Sequence, residues 1–222
     1  MDVETLIVTF SHPLAEVQVP LLRGAIIHAA EGKDVLFHNH TEEGFRYRYP
    51  LIQYKRIGGK ATLVGVGEGV DAVSQLLADG DLNVRLGSHE VTLQTEEQAR
   101  RTTNLHASDT ESYLYRVHRY FPLNQENYAK YKAIDSLIAR YAFIEKCLVG
   151  NILSFAKTMG VFFESKVSAT ITDVAEARLY PYKKVKLLGF DLTFKTNVLL
   201  PDCIGLGKDV SLGSGTIQRI KA

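Results

Sequence analysis

Cysteine is scarce. The 222 residues contain only Cys147 and Cys203, far apart and outside any CxxC or other ligand spacing, which excludes a disulfide framework and a zinc ribbon. A reducing cytoplasm is the compartment this usage implies. Long apolar runs are also missing: no stretch approaches the length needed to span a bilayer, and the start MDVETLIVTF is acidic where a signal peptide is basic. A soluble protein with no membrane partner and no signal peptide is expected. Charge of one sign does not dominate either, since the net charge is +1 with 23% charged and 45% hydrophobic residues, the balance of a folded globular chain rather than a disordered one.

That near-neutrality hides a division. Residues 1–112 carry 10 basic and 16 acidic side chains, net −6, whereas residues 113–222 carry 16 and 9, net +7. A basic second half suits a polyanionic partner, although the same asymmetry serves an internal interface or a dimer contact.

The first half alternates strand and helix patterns: VETLIVTF, the helical VPLLRGAIIHAAEG, the strands YPLIQYKR and KATLVGVG joined by Gly58-Gly59, the helix GVDAVSQLLADG, and a last strand near EVTLQT. This is the order βαββαβ. Residues 96–112, EEQARRTTNLHASDTES, are polar and aperiodic and read as a linker between modules 1–95 and 113–222. The second module opens with the strand YLYRVHRYFPL and continues into a long helical pattern, Ile134, Leu137, Tyr141, Ile144, Leu148, Ile152, Phe155 and Met159, with Gly150 as a point of kinking or division. Two strand patterns follow, VSATITDVAEARLYPY and KKVKLLGFDLTFKTN, with no evident place for a second helix. The expected architecture is α+β: two tandem ferredoxin-like (RRM-like, βαββαβ) modules with antiparallel sheets.

Chemistry-bearing residues gather in LFHNHTEEGFRYRYP. If extended, residues 38–40 place His38 and His40 on one side with Cα atoms roughly 6 to 7 Å apart. Histidine exchanges protons near neutrality, so such a pair can supply a base and an acid around one phosphate. The same H-x-H could give zinc two ligands, although no third or fourth ligand has motif spacing, and two exposed loop histidines remain the plain alternative. In the following run Phe45, Tyr47 and Tyr49 share one strand face and Arg46 and Arg48 the other, offering stacking platforms for bases and guanidinium groups for phosphates, or equally core rings and solvated arginines. Tyr47 is a third candidate for the site, as a phenol beside the histidines. His12, His28, His89, His106 and His118 have no partner legible in the sequence, though His118 alternates with Arg116. Arg178, Lys183, Lys184 and Lys186 form the densest basic cluster and read as phosphate contacts or as a solvated strand face.

Near the C-terminus Gly205, Gly207, Gly213 and Gly215 are spaced G-x-G-x5-G-x-G, with Lys208 between the pairs. Such glycines permit close backbone approach and can point amides at an anion; on spacing alone a bulged, glycine-rich hairpin is the simpler reading. The P-loop pattern is absent, and a Rossmann fingerprint does not fit so near the end.

The stretch GLGKDVSLGSG resembles the GhGxxxxxGhG loop (h, hydrophobic) that ends the CRISPR-associated repeat-processing endoribonucleases, the sixth Cas family. Leu206 matches the first hydrophobic position and Ser214 departs from the second. The order of HNH, RYRYPLIQYKR and the glycine loop looks most like that family's b-type branch, and tandem ferredoxin-like modules extend the resemblance over the whole chain. It implies a metal-independent endoribonuclease without cofactor, cutting precursor CRISPR RNA within its repeats to leave a 2′,3′-cyclic phosphate and a 5′-OH. It also implies His38 and His40 as proton carriers; the residues themselves add Tyr47 as an assistant and the glycine loop with the nearby lysines as the holder of the RNA. As partners it implies repeat RNA, with room for a homodimer or for other Cas proteins of an interference complex. The rival expectations are a non-catalytic protein that holds processed RNA and, more remotely, a small-molecule regulatory protein of paired ferredoxin-like modules.

Overall fold

The computed structural model describes residues 1–30, 35–37, 40–41, 44–45, 49–182 and 185–221. Two compact units divide the chain: an N-terminal one of Val3–Thr103 with Ser211–Gly213, and a C-terminal one of Met1–Asp2, Asn104–Val210 and Ser214–Ala222.

In the N-terminal unit the strands are β1 (Asp2–Pro13), β2 (His40–Thr41), β3 (Gly44–Phe45), β4 (Ile52–Ile57), β5 (Lys60–Val66), β6 (Leu82–Leu86), β7 (His89–Leu93) and β8 (Thr95–Asn104). The helices are α1 (Val19–Ala29) and α2 (Gly69–Leu76). The main sheet has the order β4-β5-β1-β8, in which β5 pairs antiparallel with both β4 and β1. Taken with the two helices, this is the ferredoxin-like βαββαβ arrangement. Leu6, Val8 and Phe10 on β1, Ile52 and Tyr54 on β4, and Leu63 on β5 meet Leu22 and Ile26 of α1 and Val70, Val73 and Leu76 of α2 in one core. The β4-β5 turn is made by Gly58 and Gly59 at φ +59 and +83, the positive values that a two-residue hairpin of this kind requires.

Two readings of this half are corrected. The strand expected near EVTLQT is β7, which pairs with β6 in a separate hairpin and adds Leu82, Val84, Leu86 and Leu93 to the same core. The last strand of the main sheet is instead β8, so residues 96–104, expected within the linker, are structured. As an edge strand β8 buries little and shows no apolar alternation; its conformation comes from backbone pairing with β1, reinforced by Arg100 to Glu4 at 2.7 Å.

The C-terminal unit contains β9 (Tyr113–Tyr120), α3 (Gln125–Lys132), α4 (Leu137–Thr158), β10 (Ala169–Tyr182), β11 (Val185–Thr196) and β12 (Thr216–Ile220), with sheet order β10-β11-β9-β12. The long helical pattern is one helix, α4, and a short helix not read from the sequence, α3, precedes it. Asn124 and Ser136 each cap one, accepting from the backbone N–H three residues on, at 2.7 and 3.4 Å. Helix α4 runs unbroken through Gly150 and buries Ile144, Leu148, Ile152 and Phe155, whereas Leu137, counted on the apolar face from sequence, is 59% exposed. Between β11 and β12 the described residues form no second α-helix, only a single 3-10 turn, Val210–Leu212. The glycine loop occupies the position of the missing helix.

Candidate functional site

His38, Arg46, Tyr47, Arg48, Lys183 and Lys184 lie outside the described residues. His40 is described in its backbone alone, in β2 opposite Phe45. The chain on either side of this stretch is fixed, however. Phe37, immediately before His38, is 1% exposed in the N-terminal core, and beyond Arg48 the Gln53 amide donates to the Tyr49 hydroxyl at 2.8 Å and to the Pro50 carbonyl at 3.0 Å.

The glycine loop is built from close backbone approaches. A Cβ on Gly215 would lie 1.8 Å from the Leu206 carbonyl oxygen, one on Gly205 2.6 Å from a Val210 methyl, and one on Gly207 2.7 Å from the Phe121 carbonyl oxygen. Gly207, Gly213 and Gly215 all have positive φ. Ser211–Gly213 belongs to the N-terminal unit, where Leu212 packs on the core and a Cβ on Gly213 would stand 3.1 Å from the Tyr54 carbonyl oxygen. Several of the loop's amides donate within the protein: Leu206 to Gly215 at 2.9 Å, Lys208 to Phe121 at 3.1 Å, Ser214 to Asp209 at 3.3 Å and Gly215 to Arg119 at 3.0 Å. Ser214 is 1% exposed, and its small side chain stands where the family pattern has a hydrophobic residue.

Those hydrogen bonds lead to a feature that the sequence pattern does not reveal. In β9, Tyr120 pairs with Phe190 and Val117 with Leu192, so Asp191 alone faces both His118 and Arg119: a β-bulge. The Asp191 carboxylate accepts the Arg119 N–H at 2.6 Å and lies 3.0 Å from His118 Nδ1. Arg119 holds φ +51, uncommon for a residue with a Cβ. Its guanidinium lies 5.1 Å from the Tyr180 ring centre and 5.7 Å from that of Phe121. Arg178, one of the predicted cations, stacks on the same Tyr180 ring at 4.6 Å and pairs with Glu176 at 3.2 Å. Burial pushes the Tyr180 phenol up from its usual value while Arg178 opposes the shift. Asp191 is legible in sequence as an outward position in the alternating FDLTF; its tie to the histidine depends on strand register, which the sequence does not print.

The other predicted cations are placed separately: Lys186 is exposed on β11 opposite Pro181, and the Lys208 side chain is exposed in the glycine loop. His106 meets the Asn104 carbonyl at 2.9 Å through Nδ1, and His28 sits in the last turn of α1. Cys147 is half-buried, and burial pushes its thiol up, away from the reactive thiolate. Among the described residues no cluster of three His, Cys, Asp or Glu could hold a metal ion, and no helix is long and apolar enough to cross a membrane.

Comparison with known proteins matches residues 1–104 to the Cas6b N-terminal domain and residues 107–220 to the Cas6b C-terminal domain. A crystal structure of Cas6b superposes with a TM-score of 0.89 at 26% identity, over 99% of this chain and 100% of that one. A structure described as the CRISPR RNA processing endoribonuclease Cas6b shares the fold, with a TM-score of 0.76 at 24% identity over 99% and 100% of the two chains. The protein MJ0978 of Methanocaldococcus jannaschii, itself uncharacterized, is 36% identical over 99 residues; the match takes in 45% of this chain and 66%, just under two thirds, of that protein.

Proposed function

Because the chain belongs to the Cas6b family, we propose that it is a CRISPR RNA processing endoribonuclease that cuts precursor RNA within its repeats without a metal ion. The observation that carries this reading is the agreement of both halves with the Cas6b domains, in a chain that also ends in the glycine loop. In the reaction the ribose 2′-OH attacks the adjacent phosphate. One of His38 and His40 takes the hydroxyl proton and the other protonates the departing 5′-oxygen, giving a 2′,3′-cyclic phosphate and a 5′-OH. Tyr47 orients the hydroxyl or donates to the charged phosphorane. The buried Phe37 and the Gln53 hydrogen bonds support this assignment by fixing the ends of the segment that carries all three. Arg46, Arg48, Arg178, Lys183, Lys184, Lys186 and Lys208 hold the RNA backbone. Gly205, Gly207, Gly213 and Gly215 shape the loop beside it.

The test is cleavage of repeat RNA in EDTA by the parent, His38→Ala and His40→Ala, with analysis of the product ends. A single cut ending in cyclic phosphate, slowed at least about 100-fold by either substitution while RNA binding persists, is expected. Binding without cutting by the parent would make the protein a holder of processed RNA, and cutting by both variants would move the active site elsewhere.

A further inference from the structure

We propose that the β9 bulge binds a phosphodiester of the repeat RNA through His118 and Arg119, and that the glycine loop contributes to RNA binding by holding this bulge in shape. The inference rests on the RNA-processing reading above and adds to it a site in the C-terminal unit.

The bulge is fixed from two directions. From β11, Asp191 binds both the Arg119 amide, at 2.6 Å, and the His118 ring, at 3.0 Å. From the glycine loop, the Gly215 amide donates to the Arg119 carbonyl at 3.0 Å and the Lys208 amide to the Phe121 carbonyl at 3.1 Å, bracketing the same turn of chain. A non-glycine residue at φ +51 persists only where its surroundings over-determine it, as these do, and such positions cluster at functional sites.

The electrostatics suit an anion. The Asp191 carboxylate holds the His118 ring through Nδ1, and the His118 side chain is 51% exposed, so a ligand can reach it. Among the described residues, the charged positions around it on the paired strands include Arg116 and Arg119 on β9, Asp191 on β11, and on β10 Glu176, aligned with Asp191 and paired with Arg178 at 3.2 Å. On β12 the positions paired with His118 and Arg116 are Thr216 and Gln218, which carry no charge. With His118 protonated, these described positions together with Arg178 carry four cations and two carboxylates. The stacking of Arg119 and Arg178 on Tyr180, at 5.1 and 4.6 Å, holds both guanidinium groups oriented before any ligand arrives. Paired guanidinium and imidazolium donors make strong, charge-assisted bonds to a phosphate.

The experiment titrates the full chain against a 2′-O-methyl version of the repeat, which keeps every phosphate and lacks the attacking hydroxyl. Affinity is followed by fluorescence anisotropy over a salt series, at pH values below and above the imidazole range. His118→Gln and Arg119→Ala should each bind about tenfold more weakly at low salt and low pH. The slope of log affinity against log salt should become shallower by about 0.7 for each phosphate that the variant no longer neutralises. His118→Gln should also flatten the pH dependence. Thermal unfolding of each variant shows that it is folded. Parental affinity and salt slope in folded His118→Gln and Arg119→Ala would overturn the proposal without touching the cleavage reading. A parent with no affinity for the methylated strand would overturn it as well.

Discussion

A methyl group on Gly215 would stand 1.8 Å from the Leu206 carbonyl oxygen, on a backbone at φ +66, so both space and conformation forbid a side chain there. Gly215→Ala should cost about 2 kcal/mol or more of stability, measured by urea unfolding, with weaker repeat binding as a consequence. A variant as stable as the parent would show that the loop rearranges at no cost. Phe37 makes a second residue-scale prediction. As a buried ring directly ahead of His38, its replacement by Ala should cost about 3 to 5 kcal/mol, and in whatever fraction remains folded it should slow cleavage more than RNA binding. Reduced binding with unchanged cleavage of bound RNA would remove the anchoring role. The chemistry-bearing residue types could be named from the sequence because histidine pairs and glycine spacings are local patterns. Asp191 could not be matched to His118 in that way, because the two are 73 positions apart and meet only through a bulged register.

At the scale of elements, Gly150 lies inside the continuous helix α4, with open space where a Cβ would stand. Gly150→Ala should therefore stabilise the protein by about 0.5 to 1 kcal/mol, read from chemical denaturation, because it adds helix propensity without a clash. A loss of stability would show that the glycine serves a close approach or a bend. Where an element has an apolar face, its pattern was readable: β1, β4, β5, α1 and the buried stripe of α4 follow their periodicities. The elements that escaped lack such a face. Strand β8 is an edge held by backbone pairing, and α3 is largely polar with no buried residue. The segment between β11 and β12 is shaped by close glycine packing, which leaves no periodic trace.

Across the whole chain, the contrast of −6 in residues 1–112 with +7 in residues 113–222 suits the RNA contacts proposed for the C-terminal half. Replacing the exposed Lys186 and Lys208 together by Glu should weaken repeat binding several-fold at low salt. The difference should narrow as salt rises, and cleavage at saturating protein should be little changed. Equal affinities in low salt would exclude these lysines from the RNA path. The sequence by itself determined the ferredoxin-like plan, the charge division and the residue types available for catalysis, because these follow from local periodicity, composition and spacing. Tertiary structure decided that the glycine loop replaces the second helix of the C-terminal unit, that part of the apparent linker is an edge strand, and that Asp191 joins His118 and Arg119. Each of these depends on backbone hydrogen bonds and strand register between distant segments, for which side-chain order along the chain carries no direct signal.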